Sequence, residues 1–467
     1  MRMLINGQWR AAGESFDVLD PQDGSLVDVA PVGSGADMRE AIAAATLAST
    51  TRLAVHERMS ILGGAADRIA AEAESFAVTI AREGIKTIRE ARLEVARCVD
   101  TLRLSAEEAR RLHGETVNFD QRPGSEQRFG YWVREPVGVI GAITPFNDPL
   151  NLVAHKLGPA IAGGNAVILK PDSKTPLSGI RLVEALHDAG APPGMVQVIT
   201  GAGRRVGKTL ATDPRVRMIS FTGGLQTGEE VVRQAGLKKI SMELGSNCPV
   251  IVMDDAQLDT AVDACVSGAF WAAGQNCLHV QRLFVHEAIY ETFRARFVRG
   301  AEAVVVGDKL DERTDMGPLI DEAAAERVET AIRSAVAAGA RLLTGGTRNG
   351  TFVTPTVLEE VLPIAPLSCE EIYGPVTALY RFSDLEEAIV QANATDYGLQ
   401  AAVFTGSLAT ARRAADGLDF GGVMINDSTD FRIDAMPFGG RKRSGLGREG
   451  VRFALEEMTE PKVVCFS

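Results

Sequence analysis

The chain has 467 residues, 45% of them hydrophobic and 24% charged, and 61 acidic against 49 basic side chains leave a net charge of −12. This length suggests about three domains, and the composition excludes a disordered chain. The acidic balance, with no basic run interleaved with aromatics, excludes a nucleic-acid partner, because neutralising phosphates needs concentrated positive charge.

In chain order, Met1–Trp9 holds no apolar stretch of signal-peptide length. No later segment reaches the roughly 20 apolar residues of a membrane span. A cytoplasmic protein without a membrane partner is expected. Residues 36–111 read as helical and are expected to pack on a sheet. The run 137–143 predicts a strand, followed by a loop and a helix over 150–162. Residues 166–169 read as a strand buried on both faces, and a helix follows over 176–189. Pro176 suits its first turn and Gly190 closes it. Strands at 196–199 and 218–221 each run into a glycine loop and a helix, the second around 229–234. A second alternating series starts at 249–252, with a long helix ending near Cys277, a strand at 282–285 and a helix over 288–298. An alanine-rich helical stretch over 317–340 comes next, and strand and helix continue to about residue 430. Strands alternating with helices at this spacing predict an α/β protein with two doubly wound parallel-sheet domains and a small third element.

Several residues along this frame could carry chemistry. Gly201-Ala202-Gly203-Arg204-Arg205-Val206-Gly207 follows a strand and opens a helix, yet its spacing is one residue longer than the usual dinucleotide fingerprint. A phosphate cradle and an ordinary tight turn remain open there. A second loop of this kind, Phe221-Thr222-Gly223-Gly224, strengthens the nucleotide reading. The six cysteines (Cys98, Cys248, Cys265, Cys277, Cys369, Cys465) contain no C-x-x-C pair, so neither a metal site nor a disulfide framework is expected. Five of them read as small buried hydrophobes. Cys277, beside Gly274 at an element boundary, is the candidate nucleophile for a carbonyl carbon. Glu243 is a lone carboxylate in an apolar strand, either a general base or half of a buried salt bridge. Asn147, in a loop after a strand placed at the sheet edge, offers an amide for an oxyanion or simply turn chemistry.

Taken in order, Thr144-Pro145-Phe146-Asn147, Leu169-Lys170-Pro171, Phe221-Thr222-Gly223, Met242-Glu243-Leu244-Gly245, Gly274-Gln275-Asn276-Cys277, Glu371-Ile372-Tyr373-Gly374-Pro375 and Met436-Pro437-Phe438-Gly439-Gly440 resemble the aldehyde dehydrogenase superfamily over nearly the whole chain. The resemblance implies a Rossmann-like cofactor domain at 1–113 and 137–245 and a catalytic domain at 246–449. A bridging β element at 114–136 and 450–467 would join subunits into a homodimer or homotetramer. It also implies a two-stage reaction on a small aldehyde. The Cys277 thiolate adds to the carbonyl, and Asn147 with the Cys277 backbone N–H holds the oxyanion. Hydride passes to NAD or NADP, and Glu243 activates the water that hydrolyses the thioester. Members that transfer the acyl group to coenzyme A lack a carboxylate at the Glu243 position, so hydrolysis is expected. Phe146, Lys170, Ser173, Gly223, Gly224, Leu244, Glu371 and Tyr373 are the implied cofactor contacts.

Two departures from the family pattern matter. Ser173 stands where NAD-preferring members often carry Glu, which removes a repulsion against a 2′-phosphate, so NADP is expected to be accepted, alongside NAD. Gly224 stands where the family usually has Ser. The stretches 153–160 and 426–432 resemble the subgroup acting on lactaldehyde, succinate semialdehyde and phosphonoacetaldehyde. His155, Arg103 and Arg432 are candidate substrate contacts, with surface or interdomain ion pairs as the equal alternative. Asn276, where phosphate-binding members often carry Arg, favours a small polar or carboxylate-bearing aldehyde over a phosphonate or phosphate. A catalytically silent binding protein is the remaining alternative, weakened by the presence of Cys277, Glu243 and Asn147.

Overall fold

A run such as Ala166–Lys170, apolar up to its terminal lysine and fully buried, is stable as a strand only where helices cover both faces of a sheet. The computed structural model, which describes residues 1–467, supplies that cover. Alternate side chains of the central strands enter different cores. Ile140, Ala142, Val167 and Leu169 pack with the helices Val55–Ala71, Ala73–Glu83 and Ile88–Arg111. Val139, Ile143 and Ile168 pack on the other face with Gly35–Ala48. The longest of these helices, Ile88–Arg111, starts at a reciprocal cap in which Thr87 and Glu90 satisfy each other's backbone N–H.

The first sheet runs Gln8–Arg10, Met3–Ile5, Val196–Val198, Ala166–Lys170, Val139–Ile143, Val216–Thr222, Lys239–Glu243, Gly445–Leu446. Its five inner strands, from Val196–Val198 to Lys239–Glu243, are mutually parallel. The strand Val139–Ile143 lies in the middle of this sheet, not at its edge as its loop chemistry suggested. The second sheet runs Arg341–Thr344, Thr356–Glu359, Val376–Phe382, Val280–His286, Cys248–Val252, Gln400–Phe404, Gly422–Ile425, and only its first pair is antiparallel. The α/β class with two parallel sheets is as expected. The first 31 residues, which carry no helical pattern, contribute four short strands.

One boundary differs in a way that matters to the site. The helix before Cys277 is Leu258–Phe270 and stops seven residues short of the cysteine. Ala272 and Ala273 then adopt φ of +50° and +53°, which breaks the helix and leaves Cys277 on an irregular loop. A third, three-stranded sheet pairs Thr459–Phe466 with Phe129–Pro136 along their whole length and adds Glu115–Thr116. No helix is long and apolar enough to cross a membrane.

Candidate active site

Parallel strands aim their carboxyl ends at one edge of a sheet, and ligands of open α/β folds collect there. Asn147 lies just beyond Val139–Ile143, Lys170 ends Ala166–Lys170, Gly223 follows Val216–Thr222 and Glu243 ends Lys239–Glu243. The short link 244–247 then enters the second sheet at Cys248. The loop bearing Cys277 leads into the neighbouring strand Val280–His286. The carboxyl edge of one sheet thus faces the amino edge of the other, and the sequence-predicted groups meet between them.

Cys277 is half-buried and packs against Leu278, Leu399, Met436 and Phe438. Burial pushes its thiol well up, the nearby Arg432 guanidinium opposes the rise, and Glu243 and Glu371 add to it. The Cys277 backbone N–H and the Asn147 side-chain amide make no hydrogen bond within the protein, so both donors remain free. Glu243 is 3% exposed, and neither carboxylate oxygen has a partner. The buried salt bridge left open for it is therefore absent. Its carboxyl is pushed well above the usual range, first by burial and then by the negative charge of Glu449. Gly439 makes room for it, since a Cβ there would lie 2.9 Å from Glu243 Oε1.

Apart from Arg432 and His155, sequence reasoning missed the charges around this pair. Lys156 Nζ donates to Glu449 at 2.9 Å and to Ser220 at 3.2 Å, and the Arg432 guanidinium donates to the second Glu449 oxygen at 3.2 Å. These cations hold the Glu449 carboxyl down at about 2, against the penalty of burial. The cluster continues outward. His155 Nε2 lies 2.8 Å from Asp434, which also accepts from Arg97 at 2.8 Å and from the Asn151 amide at 3.2 Å. Asp148 pairs with Lys86, which also donates to Glu94 at 2.8 Å. Nothing in the local sequence marks these pairs, because Lys156 and Glu449 are 293 positions apart.

Of the three candidate substrate contacts, the structure places one beside Cys277. Arg432 stacks over the Phe438 ring at 3.8 Å, in the same cluster as Cys277, and its buried Nε has no partner. Arg103 points elsewhere, exposed and paired with Asp67 at 3.1 Å. The arginine of that helix that reaches the cluster is Arg97. His155 does not face an entrance. It is 1% exposed, inside a helix whose twelve residues are all buried, where it braces Asp434 and approaches Arg432 at 3.4 Å.

The residues around the N-terminus of Leu225–Ala235 fit a dinucleotide. The helix Leu225–Ala235 begins at Gly224 with no side-chain cap, leaving N–H groups free for an anion. A Cβ at Gly223 would strike the Phe221 ring at 2.7 Å, and one at Gly245 would strike the Glu371 carboxylate, so the backbone and these side chains pack closely here. Open space around Gly224 would accept the serine usual in the family. Leu244 packs against Gly228 in the same helix. Lys170 is buried with its ammonium unpaired, and burial lowers its pKa. Glu371 accepts from the Ser246 N–H at 2.8 Å, and burial raises its carboxyl to about 7. Tyr373, at φ +55°, meets Phe146 edge-on at 5.8 Å. Ser173 donates to the carbonyl of Gly201 at 3.2 Å, and Lys174 pairs with Asp321 at 3.2 Å. That bond sets the Gly201–Gly207 loop beside Ser173, and the loop coils as a single wide turn at Gly203–Gly207 rather than a regular fingerprint.

Comparison with known proteins agrees with this arrangement. Residues 9–464 match the model of the aldehyde dehydrogenase family. The chain is 53% identical to aspartate-semialdehyde dehydrogenase 1 of Pseudomonas canavaninivorans, over 97% of this chain and 96% of that one. Its structure is similar to aldehyde dehydrogenase 21 from Physcomitrella patens in complex with the reaction product succinate, with a TM-score of 0.97, 37% identity and coverage of 100% and 98%. It is also similar to the NADP complex of glyceraldehyde-3-phosphate dehydrogenase from Methanocaldococcus jannaschii, with a TM-score of 0.93, 41% identity and coverage of 97% and 100%. Site geometry and likeness over the full chain lead to one conclusion: this protein belongs to the aldehyde dehydrogenase family.

Proposed function

We propose that the protein oxidises a short, carboxylate-bearing aldehyde to the acid by covalent catalysis at Cys277. The observation that carries this reading is the buried carboxylate of Glu243, unpaired at both oxygens and close enough to Cys277 to act on its thiol. The thiolate adds to the carbonyl carbon, and the two free donors hold the resulting oxyanion. Removing one such donor typically costs about 10²–10³ in rate. When bound, the dinucleotide supplies the hydride acceptor. Phe146, Lys170, Ser173, Gly223, Gly224, Leu244, Glu371 and Tyr373 would hold it. Unpaired Glu243 takes a proton from water as that water attacks the thioester, and the acid leaves.

Charge supports the choice of substrate. The cluster beside the thiol holds four cations (Lys86, Arg97, Lys156, Arg432) against four anions (Glu94, Asp148, Asp434, Glu449). It has no surplus to neutralise a phosphate dianion, while the free Nε of Arg432 suits one carboxylate. Aspartate semialdehyde and succinate semialdehyde are the first candidates, from the relatives named above. Absence of a carboxylate where Ser173 stands supports use of NADP as well as NAD. In this reading 1–113 and 137–245 hold the dinucleotide and 246–449 carries the acyl chemistry. Residues 114–136 and 450–467 join subunits, because the outer strand Thr459–Phe466 leaves an open edge with exposed Val463 and Phe466. Light scattering would show a dimer or tetramer, and a monomer alone would refute that part.

The test of the activity is reduced-nicotinamide absorbance with a panel of neutral, carboxylate and phosphate aldehydes, each with NAD and NADP and without coenzyme A. Carboxylate aldehydes turned over by the wild type and not by Cys277→Ser are the expected result. Turnover surviving in Cys277→Ser would overturn the mechanism, and a preference for phosphate aldehydes would overturn the substrate.

A further inference from the structure

Cys248 has no part in the chemistry above, yet it is the cysteine placed against Cys277. It opens the strand Cys248–Val252, is fully buried, and its thiol donates to the carbonyl oxygen of Cys277 at 3.4 Å. The Ser246 hydroxyl lies 3.2 Å from its sulfur. Its strand is registered so that Cys248 faces Val280, three residues beyond Cys277, on the adjacent parallel strand. The register itself spaces Cys248 from Val280; what brings Cys248 to Cys277 is the direct contact of its sulfur with the Cys277 carbonyl oxygen, close enough for the two thiols to act on each other. The loop carrying Cys277 has no regular secondary structure, so rotation of that side chain toward Cys248 breaks no ladder. Cys98 and Cys265 are equally buried but belong to the packing of separate cores.

We propose that Cys248 is a resolving thiol for Cys277, a modification site that closes a reversible disulfide when the nucleophile meets a hydroperoxide. The proposal rests on Cys277 being the reactive sulfur. The half-buried Cys277 meets the oxidant first. Its thiolate attacks one peroxide oxygen, the O–O bond breaks, and sulfenic acid forms with release of hydroxide or alkoxide. Cys248 then attacks that sulfur, the S–S bond forms, the S–O bond breaks, and hydroxide leaves with the Cys248 proton as water. Sulfur is oxidised and peroxide oxygen reduced, two electrons in all. Without Cys248, a second peroxide would carry Cys277 on to sulfinic acid, which thiols do not reduce. The Cys248 thiol is raised to about 11 by burial, with Ser246 opposing, so capture quickens with pH.

The test treats the whole enzyme with hydrogen peroxide, removes it, and follows both activity and peptide masses. In the wild type, activity falls, dithiothreitol restores most of it, and digestion without reductant yields a Cys248–Cys277 cross-linked peptide. In Cys248→Ser the same exposure leaves less than about a tenth recoverable, and Cys277 carries two added oxygens. Equal recovery in both proteins, or a wild-type digest with no such cross-link and Cys277 over-oxidised, would overturn the proposal. The peptide masses need no aldehyde, so a wrong substrate leaves this reading untouched. Unreacted Cys277 under conditions that oxidise the exposed Cys465 would instead count against the assignment of Cys277 as the reactive thiol.

Discussion

Replacing Glu449 by Gln tests whether the charge cluster sets the proton affinity of Glu243. Glu449 is a like charge beside Glu243, kept ionised by Lys156 at 2.9 Å and Arg432 at 3.2 Å. Gln removes that charge and leaves two buried cations without their counter-ion. Both changes favour ionised Glu243, so its pKa falls from a folded value held well above the usual carboxylate range. A neighbouring unit charge at close range shifts a carboxyl by about 1–3 pH units. A general base acts only when deprotonated, so the rate of thioester hydrolysis rises with pH through the Glu243 titration. The acid limb of the kcat profile therefore moves to lower pH by about 1–3 units. A burst of reduced nicotinamide before steady state, with acyl-enzyme trapped on Cys277 during turnover, shows that hydrolysis limits the rate in the variant and in the wild type. Stability falls at the same time, because removing one partner of a buried pair costs about 3–5 kcal/mol. The double change Lys156→Met with Glu449→Gln recovers part of that loss by deleting one stranded cation. An acid limb that stays in place, or moves to higher pH, refutes the electrostatic argument.

Arg432→Ala raises KM about tenfold or more for carboxylate aldehydes and changes it little for neutral ones of the same length, and Arg103→Ala leaves both unchanged; steady-state kinetics on matched substrates decides this. Gly245→Ala forces a Cβ into the Glu371 carboxylate, so dinucleotide affinity measured by titration calorimetry falls while the fold, followed by circular dichroism, persists. Gly439→Ala crowds Glu243 in the same way, and acyl-enzyme that accumulates after a normal burst is the expected signature. Brief alkylation labels Cys277, Cys369 and Cys465 and spares the buried Cys98, Cys248 and Cys265, as peptide mapping checks.

What could be read from the sequence was what is local. The strand 166–169 declared itself by an unbroken apolar run, and Pro176 and Gly190 bracketed a helix that forms as Pro176–Asp188. The glycine turns and the motifs at Asn147, Glu243 and Cys277 are short contiguous strings whose order carries the family pattern, so they were found without any three-dimensional information. The end of the helix before Cys277 was misplaced because its break is not made by glycine or proline. Two alanines, the best helix formers, take positive φ there, a choice that tertiary packing imposes against propensity.

The substrate side was hardest to read because its arguments depend on which face of a helix a side chain occupies and on partners far along the chain. Arg97 and Arg103 are both on Ile88–Arg111, and six residues at about 100° each set them about 120° apart around the axis. One face turns to Asp434 and the other to Asp67, and only those partners distinguish them. His155 shows the opposite failure. His155 was a candidate to contact substrate, yet every residue of its helix, Asn151–Ala162, is buried. A helix apolar nearly all round belongs in a core, and a histidine and a lysine adjacent within it must then find partners there. That inference was available from Val153-Ala154-His155-Lys156-Leu157 alone. The local sequence does not name those partners; the structure supplies Asp434 and Glu449, and Glu449 both holds Arg432 beside the thiol and, added to burial, raises the Glu243 carboxyl.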